Sequence, residues 1–192
     1  MRADWLVDVT PGTIGTAKVE RFEVTQQDYY GLIHGRHCPK GVYTRLVVNG
    51  ALWMSDTPAE QRDHWEPVYQ AQQRGGRVLV MGLGLGLVVK QFLAMPNVEH
   101  VDVVEINPDV IALVGPHYAC DRLTIHEADA YAIKWPVGTR WSVVWHDIWL
   151  NLCEDNLAEI ARLKRSYGRR ADWQGAWGQG EILRDQRRYG SW

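Results

Sequence analysis

"VLVMGLGLGLVV" (78–89) is apolar throughout except for glycines at every second position, Gly82, Gly84 and Gly86. A run of aliphatic residues without polar alternation reads as a strand buried on both faces. Glycines that follow such a strand and open a helical pattern ("LGLVVKQFLAM", ended before Pro96) let the backbone come close to a ligand, while the helix start leaves N–H groups unpaired. The implied ligand is a nucleotide or nucleoside. The same rhythm continues downstream. "HVDVVEIN" reads as a second strand, "PDVIALVGPHY" as a short helix, "LTIHEAD" as a third strand and "WSVVWHDIW" as a fourth. Continuous apolar strands alternating with helices predict a parallel sheet covered on both faces.

Upstream, the pattern is different. "KVERFEV" (18–24) alternates, and "VYTRLVV" (42–48) meets "ALWM" (51–54) across Asn49-Gly50, a strong hairpin signal. "SDTPAEQRDHWEPVYQAQQ" reads as one helix from a capping residue to Gly75-Gly76. Beyond the fourth strand, "LNLCEDNLAEIARLKR" is helical and "ADWQGAWGQGEILRDQRRYGSW" has a turn-rich half and a helical half. The sheet is therefore expected to stop at "WSVVWHDIW", leaving an apolar edge that the Trp-rich tail or a second copy of the chain must cover. Three regions follow: a β-hairpin region over 1–55, the α/β domain over 56–170 and a Trp-rich basic tail over 171–192.

Composition limits the functions available. The chain has 192 residues, 46% of them hydrophobic, a formal charge of -2 and ten tryptophans. Residues 162–192 hold eight Lys/Arg against three Asp/Glu, so the tail is basic and the body acidic. Cys38, Cys120 and Cys153 are widely spaced, with neither a signal peptide nor a stretch able to span a bilayer, which makes a reducing cytoplasm the default setting.

Glu105 ends the second strand 23 residues after Gly82, where a carboxylate can take both hydroxyls of a ribose. A dinucleotide fingerprint needs a small residue at 87, but Leu87 stands there and would block the approach of a pyrophosphate. The spacing is instead GxGxG.

That pattern, with an acid closing the next strand, resembles the class I S-adenosylmethionine-dependent methyltransferases. "LVVNGALWMSDTPAEQRDHWEPV" and "NVEHVDVVEINPDVI" on its flanks resemble more closely the spermidine synthase (polyamine aminopropyltransferase) family, over about residues 45–150. The resemblance implies a Rossmann-like class I methyltransferase fold of the α/β class, a truncated parallel sheet with a small N-terminal β-hairpin layer. It implies S-adenosylmethionine or its decarboxylated form as ligand. The cofactor-binding residues are then Gly82, Gly84, Gly86, Glu105 on the ribose and Asp129 of "HEADA" near the adenine. Asp147, which follows "WSVVWH", is the implied proton acceptor. For Asp129 and Asp147 a helix or turn cap is the competing account.

Departures from the family pattern redirect the function. Leu85 stands where the family has an aspartate that grips the donor's amine, Leu150 replaces a second aspartate, and Trp53 replaces a hairpin glutamine. Three polar contacts for a polycation are thus apolar, and an ammonium would be desolvated without a partner. The reading that follows is an S-adenosylmethionine-dependent transferase, a methyltransferase of unknown acceptor. The alternatives are a catalytically inactive adenosyl-ligand binding module and an aminopropyltransferase acting on a polyamine. Trp145 and Trp149 read as sealing the sheet edge rather than lining a pocket. "HGRHC" (34–38) reads as a loop rather than a zinc site, so no metal is expected. The basic tail reads as a solvated face, with nucleic-acid contact left open; no membrane contact is expected, and a homodimer is possible.

Overall fold

The computed structural model describes residues 5–26 and 36–189. Its chain order is β1 (Gly12–Ile14), β2 (Ala17–Val24), β3 (Gly41–Val48), β4 (Ala51–Ser55), α1 (Pro58–Asp63), α2 (Trp65–Arg74), β5 (Gly76–Met81), α3 (Leu87–Leu93), β6 (Val98–Glu105), α4 (Pro108–Val114), a 3-10 turn (Gly115–Tyr118), β7 (Leu123–Glu127), β8 (Trp141–His146), α5 (Asp155–Tyr167), β9 (Ala171–Ala176) and α6 (Gln179–Tyr189). The first four strands form an antiparallel sheet in sequence order. The other five form a parallel sheet in the order β7-β6-β5-β8-β9. The expected fold class is found: a Rossmann-like parallel sheet flanked by helices, with a separate N-terminal antiparallel layer.

Asn49 and Gly50 both take positive φ, 51° and 77°, and Val48 pairs directly with Ala51. That is the two-residue hairpin turn whose twist matches the flanking strands. The layer shares one hydrophobic core with the parallel sheet, joining Val7, Val19, Leu46 and Val48 to Val78, Val80, Val88 and Phe92. Asp109 in α4 fixes the seam by accepting from both the backbone N–H (2.7 Å) and the hydroxyl (2.8 Å) of Thr16.

Two expectations are corrected. The sheet does not stop at its fourth strand, because residues 171–176 of the supposed tail pair with β8 as a fifth parallel strand. The apolar edge is thus covered by strand addition, with the rings of Trp145 and Trp173 stacked at 6.4 Å and 7° between planes. The stretch 58–74 is not one helix but two. Pro67 has no N–H to give residue 63, and its ring crowds that carbonyl, so the helix restarts after His64, whose backbone sits at φ -100°, ψ 6°.

Candidate functional site

At the carboxyl edge of the parallel sheet the backbone ladder runs past the ends of the strands. Gly82 N–H donates to Val104 O (2.7 Å), Asp147 N–H to Met81 O (2.8 Å) and Ala128 N–H to Glu105 O (3.0 Å). The segments carrying the predicted residues are thereby held side by side, where open α/β sheets place their ligands. A cavity of about 430 Å³ opens there. Its walls are Gly82 and Gly84 of the turn, Glu105 and Ile106 at the end of β6, residues 128–131 after β7, residues 147–150 after β8, and Trp53 and Met54 from β4.

The two turn glycines that line the cavity are required by close approach. Gly82 has φ 97°, and a Cβ there would sit 2.0 Å from the Asp147 carbonyl oxygen; Gly84 has φ 51°, and a Cβ would meet Met54 Sδ at 2.7 Å. Gly86 packs instead against the ring of Tyr118, which donates its hydroxyl to Leu85 O (2.7 Å). Five of the six residues read from the sequence, Gly82, Gly84, Glu105, Asp129 and Asp147, line the cavity, and Gly86 stands behind it.

Glu105 is 5% exposed, a placement that costs a carboxylate dearly unless it is hydrogen-bonded. Its Oε2 accepts from Leu83 N–H (2.8 Å) and its Oε1 from Asn107 N–H (2.9 Å). The carboxylate therefore shapes the glycine turn, and each oxygen keeps a further acceptor position for a ligand hydroxyl. Asp129 is exposed and caps the turn that follows β7, accepting from Tyr131 N–H at Oδ1 (2.8 Å). Capping and cavity lining coincide in this residue.

Asp147 faces His64, which with Trp65 and Glu66 loosely resembles the spermidine synthase family's substrate-helix motif; its pairing with Asp147 was not legible in the sequence. His64 is fully buried, with Nδ1 2.7 Å from the main-chain carbonyl of Glu60 and Nε2 2.7 Å from Asp147 Oδ2. A carbonyl and a carboxylate only accept, so both ring nitrogens donate and the ring is an imidazolium. Burial opposes that charge, but the Asp147 carboxylate and its hydrogen bond prevail and hold the His64 pKa up to about 9. Burial also raises the nearby Glu60 carboxyl to about 7, with Asp147 and Asp63 adding to the shift and His64 opposing it. The break at Pro67 turns His64 inward; a proline three residues after a histidine in a helical pattern was the available signal.

The tryptophans divide. Trp145 is 2% exposed and seals β8 against β9 as expected. Trp149, expected to seal as well, lines the cavity and donates from Nε1 to Glu159 Oε2 (2.6 Å), which also takes the Tyr131 hydroxyl (3.3 Å). Burial, then Glu159, pushes the Tyr131 phenol up to about 12. Of the three departures from the family pattern, Trp53 and Leu150 line the cavity, whereas Leu85 is wholly buried in the core. The Leu85 N–H is held by Met54 Sδ at 3.3 Å.

His34 of the "HGRHC" stretch lies outside the described residues. Among the described residues no group of three or more His, Cys, Asp and Glu is placed to hold a metal, and no helix is long and apolar enough to cross a membrane.

No protein-family model matches the chain. It is 35% identical over 99 residues to Polyamine aminopropyltransferase 2 of Ralstonia nicotianae, covering 45% of this chain and 19% of that protein. It is 37% identical over 60 residues to Ribosomal RNA small subunit methyltransferase A of Dechloromonas aromatica, covering 31% of this chain and 23% of that protein. The chain thus spans about a fifth of the length of the curated relatives it matches. Among solved structures, it is similar to the N-methyltransferase NodS of Bradyrhizobium japonicum, with a TM-score of 0.47 and 14% identity over 58% of this chain and 62% of that one. Spermidine synthase of Thermotoga maritima gives a TM-score of 0.44 and 17% identity over 71% and 46%.

Proposed function

We propose that the chain binds S-adenosylmethionine and transfers its methyl group to an acceptor. The observation that carries this reading is the convergence of Gly82, Gly84, Glu105, Asp129 and Asp147 on one cavity at the carboxyl edge of the sheet. A nucleoside fits that set: Glu105 supplies acceptors for two ribose hydroxyls, Asp129 lies across from it for an adenine amino group, and the glycines admit the donor's chain. The names of the relatives agree, being an aminopropyltransferase and a methyltransferase by sequence. Cysteines that form no disulfide among the described residues suit a cytoplasmic setting.

Displacement at the carbon beside a sulfonium asks little of the protein beyond alignment and one group to receive a proton. Asp147 is the residue at hand. With His64 behind it at 2.7 Å, its carboxylate is fixed in direction, suited to orient an O–H or N–H donor of the acceptor. Aminopropyl transfer from the decarboxylated donor remains the second reading, favoured by the aminopropyltransferase match. Product analysis separates the readings. Incubation with each donor and a panel of acceptors should release S-adenosylhomocysteine; methylthioadenosine released in the presence of a diamine would replace methyl by aminopropyl transfer. Ligand bound but unconsumed throughout would leave a binding module.

A further inference from the structure

Taking the nucleoside reading of the site as given, we infer that the acceptor is a small, uncharged, planar aromatic molecule bearing an O–H or N–H donor. The inference rests on what the acceptor end of the cavity offers. Trp53 and Leu150 line the cavity while 37% and 42% exposed, and Trp149, two residues after Asp147, lines it too. Large apolar side chains left in water around a polar site mark a surface that a ligand covers. Two indoles suit a flat ring, which can stack offset or edge-on against them.

Charge selects further. Among the described residues that line the cavity there is no Lys, Arg or His, so an anionic acceptor has no counter-ion. A cationic acceptor fares little better. Both oxygens of Glu105 already accept from backbone N–H groups and Asp129 accepts from Tyr131 N–H, and on the nucleoside reading these two acids serve the ribose and the adenine. Asp147 is paired at 2.7 Å with the imidazolium of His64, so the two together carry no net charge for an ammonium to meet. A neutral hydroxyl can still donate to Asp147. In the transfer, the acceptor oxygen forms its bond to the methyl carbon while the carbon–sulfur bond breaks and leaves its electrons on sulfur. The sulfonium becomes a neutral thioether, and the hydroxyl proton passes to Asp147 and on to solvent.

The test uses 2-naphthol, 1,4-diaminobutane and 2-naphthoate, titrated by calorimetry into the full chain alone and into the chain saturated with S-adenosylhomocysteine. We expect 2-naphthol to bind at least tenfold more tightly than either charged probe. Trp53→Ala and Trp149→Ala should each weaken 2-naphthol at least fivefold, both in the chain alone and in the chain saturated with S-adenosylhomocysteine. Equal or tighter binding of the diamine or the naphthoate overturns the inference, as does 2-naphthol affinity unchanged in both variants. Failure of S-adenosylhomocysteine to bind at all would sink the nucleoside reading alone, because the titration without it still reads the aromatic wall.

Discussion

The two ends of the cavity are built by different means. At the donor end, Glu105 and Asp129 are positioned by backbone N–H groups: Leu83, Asn107 and Tyr131 each donate to a carboxylate one or two residues from a strand end or across the neighbouring strand. At the acceptor end, Asp147 is held by a side chain 83 residues away, and Trp149 by Glu159. Backbone-held geometry follows from strand and turn, so any sequence that makes the fold makes the donor end. Side-chain-held geometry depends on which residues other elements bring, and is where one fold departs from another.

The largest expected effect breaks the acceptor end through its support. Asp147 and Trp149 follow β8, whose outer neighbour is β9, and the Trp145–Trp173 stack joins the two. Deleting residues 171–192 exposes the β8 edge with its apolar residues and should convert the protein to aggregates. Light scattering and size-exclusion chromatography would show this; a soluble, monomeric deletion variant would mean that β9 is dispensable.

The next effect isolates the donor end. On the proposed ribose role, Glu105→Ala removes acceptors for two hydroxyls and should weaken S-adenosylhomocysteine binding by about 2 to 4 kcal/mol. Calorimetry on the folded variant measures it. The same change orphans the N–H groups of Leu83 and Asn107, so Glu105→Gln, which keeps one acceptor oxygen, should recover part of the melting temperature and less of the affinity. Unchanged affinity in the alanine variant would remove the ribose assignment.

How far the sequence could be read follows the same division. The strands β5, β6 and β8 were legible because they are buried on both faces and therefore continuously apolar, and Glu105 was legible because a strand end fixes where its side chain goes. β9 was not. "ADWQGA" carries a glycine that reads as a turn, yet Gly175 is needed because a Cβ there would lie 2.4 Å from the Trp173 ring and 2.9 Å from Trp145. What looked like a loop signal is clearance for stacked indoles. The pairing of His64 with Asp147 escaped for another reason: in an amphipathic pattern the histidine is one more residue of a helix face. His64 sits at the break between the two helices, three residues before Pro67, with its ring 2.7 Å from Asp147.

The pairing of His64 gives a pH signature that the donor end lacks. Its folded pKa of about 9 lies above the usual value of 6.5, so its stabilisation is complete below about pH 6.5 and is lost as pH rises through 9. Glu60, raised to about 7, contributes in the same direction but earlier, between about pH 4.5 and 7. Between pH 7.5 and 9.5 the decline therefore belongs to His64, facing Glu60 and Asp147. A loss of about 2 kcal/mol over that range, or roughly 4 to 8 °C in melting temperature, is expected for the wild type. His64→Gln should start lower and show a flatter profile. Parallel profiles for the two proteins would show that the ring is not charged.

The smallest effect sharpens the boundary between the two ends, where the donor's tail must lie. S-adenosylmethionine carries a carboxylate and an ammonium there, and its decarboxylated form carries the ammonium alone. The carboxylate can draw on the Leu85 N–H, now given to the thioether of Met54 at 3.3 Å, a weak acceptor that a charged oxygen would displace with gain. The lone ammonium finds no acid free for it: Leu85 is turned into the core, Glu105 is engaged by the turn, Asp129 is given to the adenine on the proposed reading, and Asp147 already faces an imidazolium. S-adenosylmethionine should therefore bind about tenfold more tightly than the decarboxylated donor, roughly 1.4 kcal/mol. Competition between the two donors for one site measures this directly. The opposite ranking would mean that an acid compensates the ammonium after all, and would move the protein toward aminopropyl transfer.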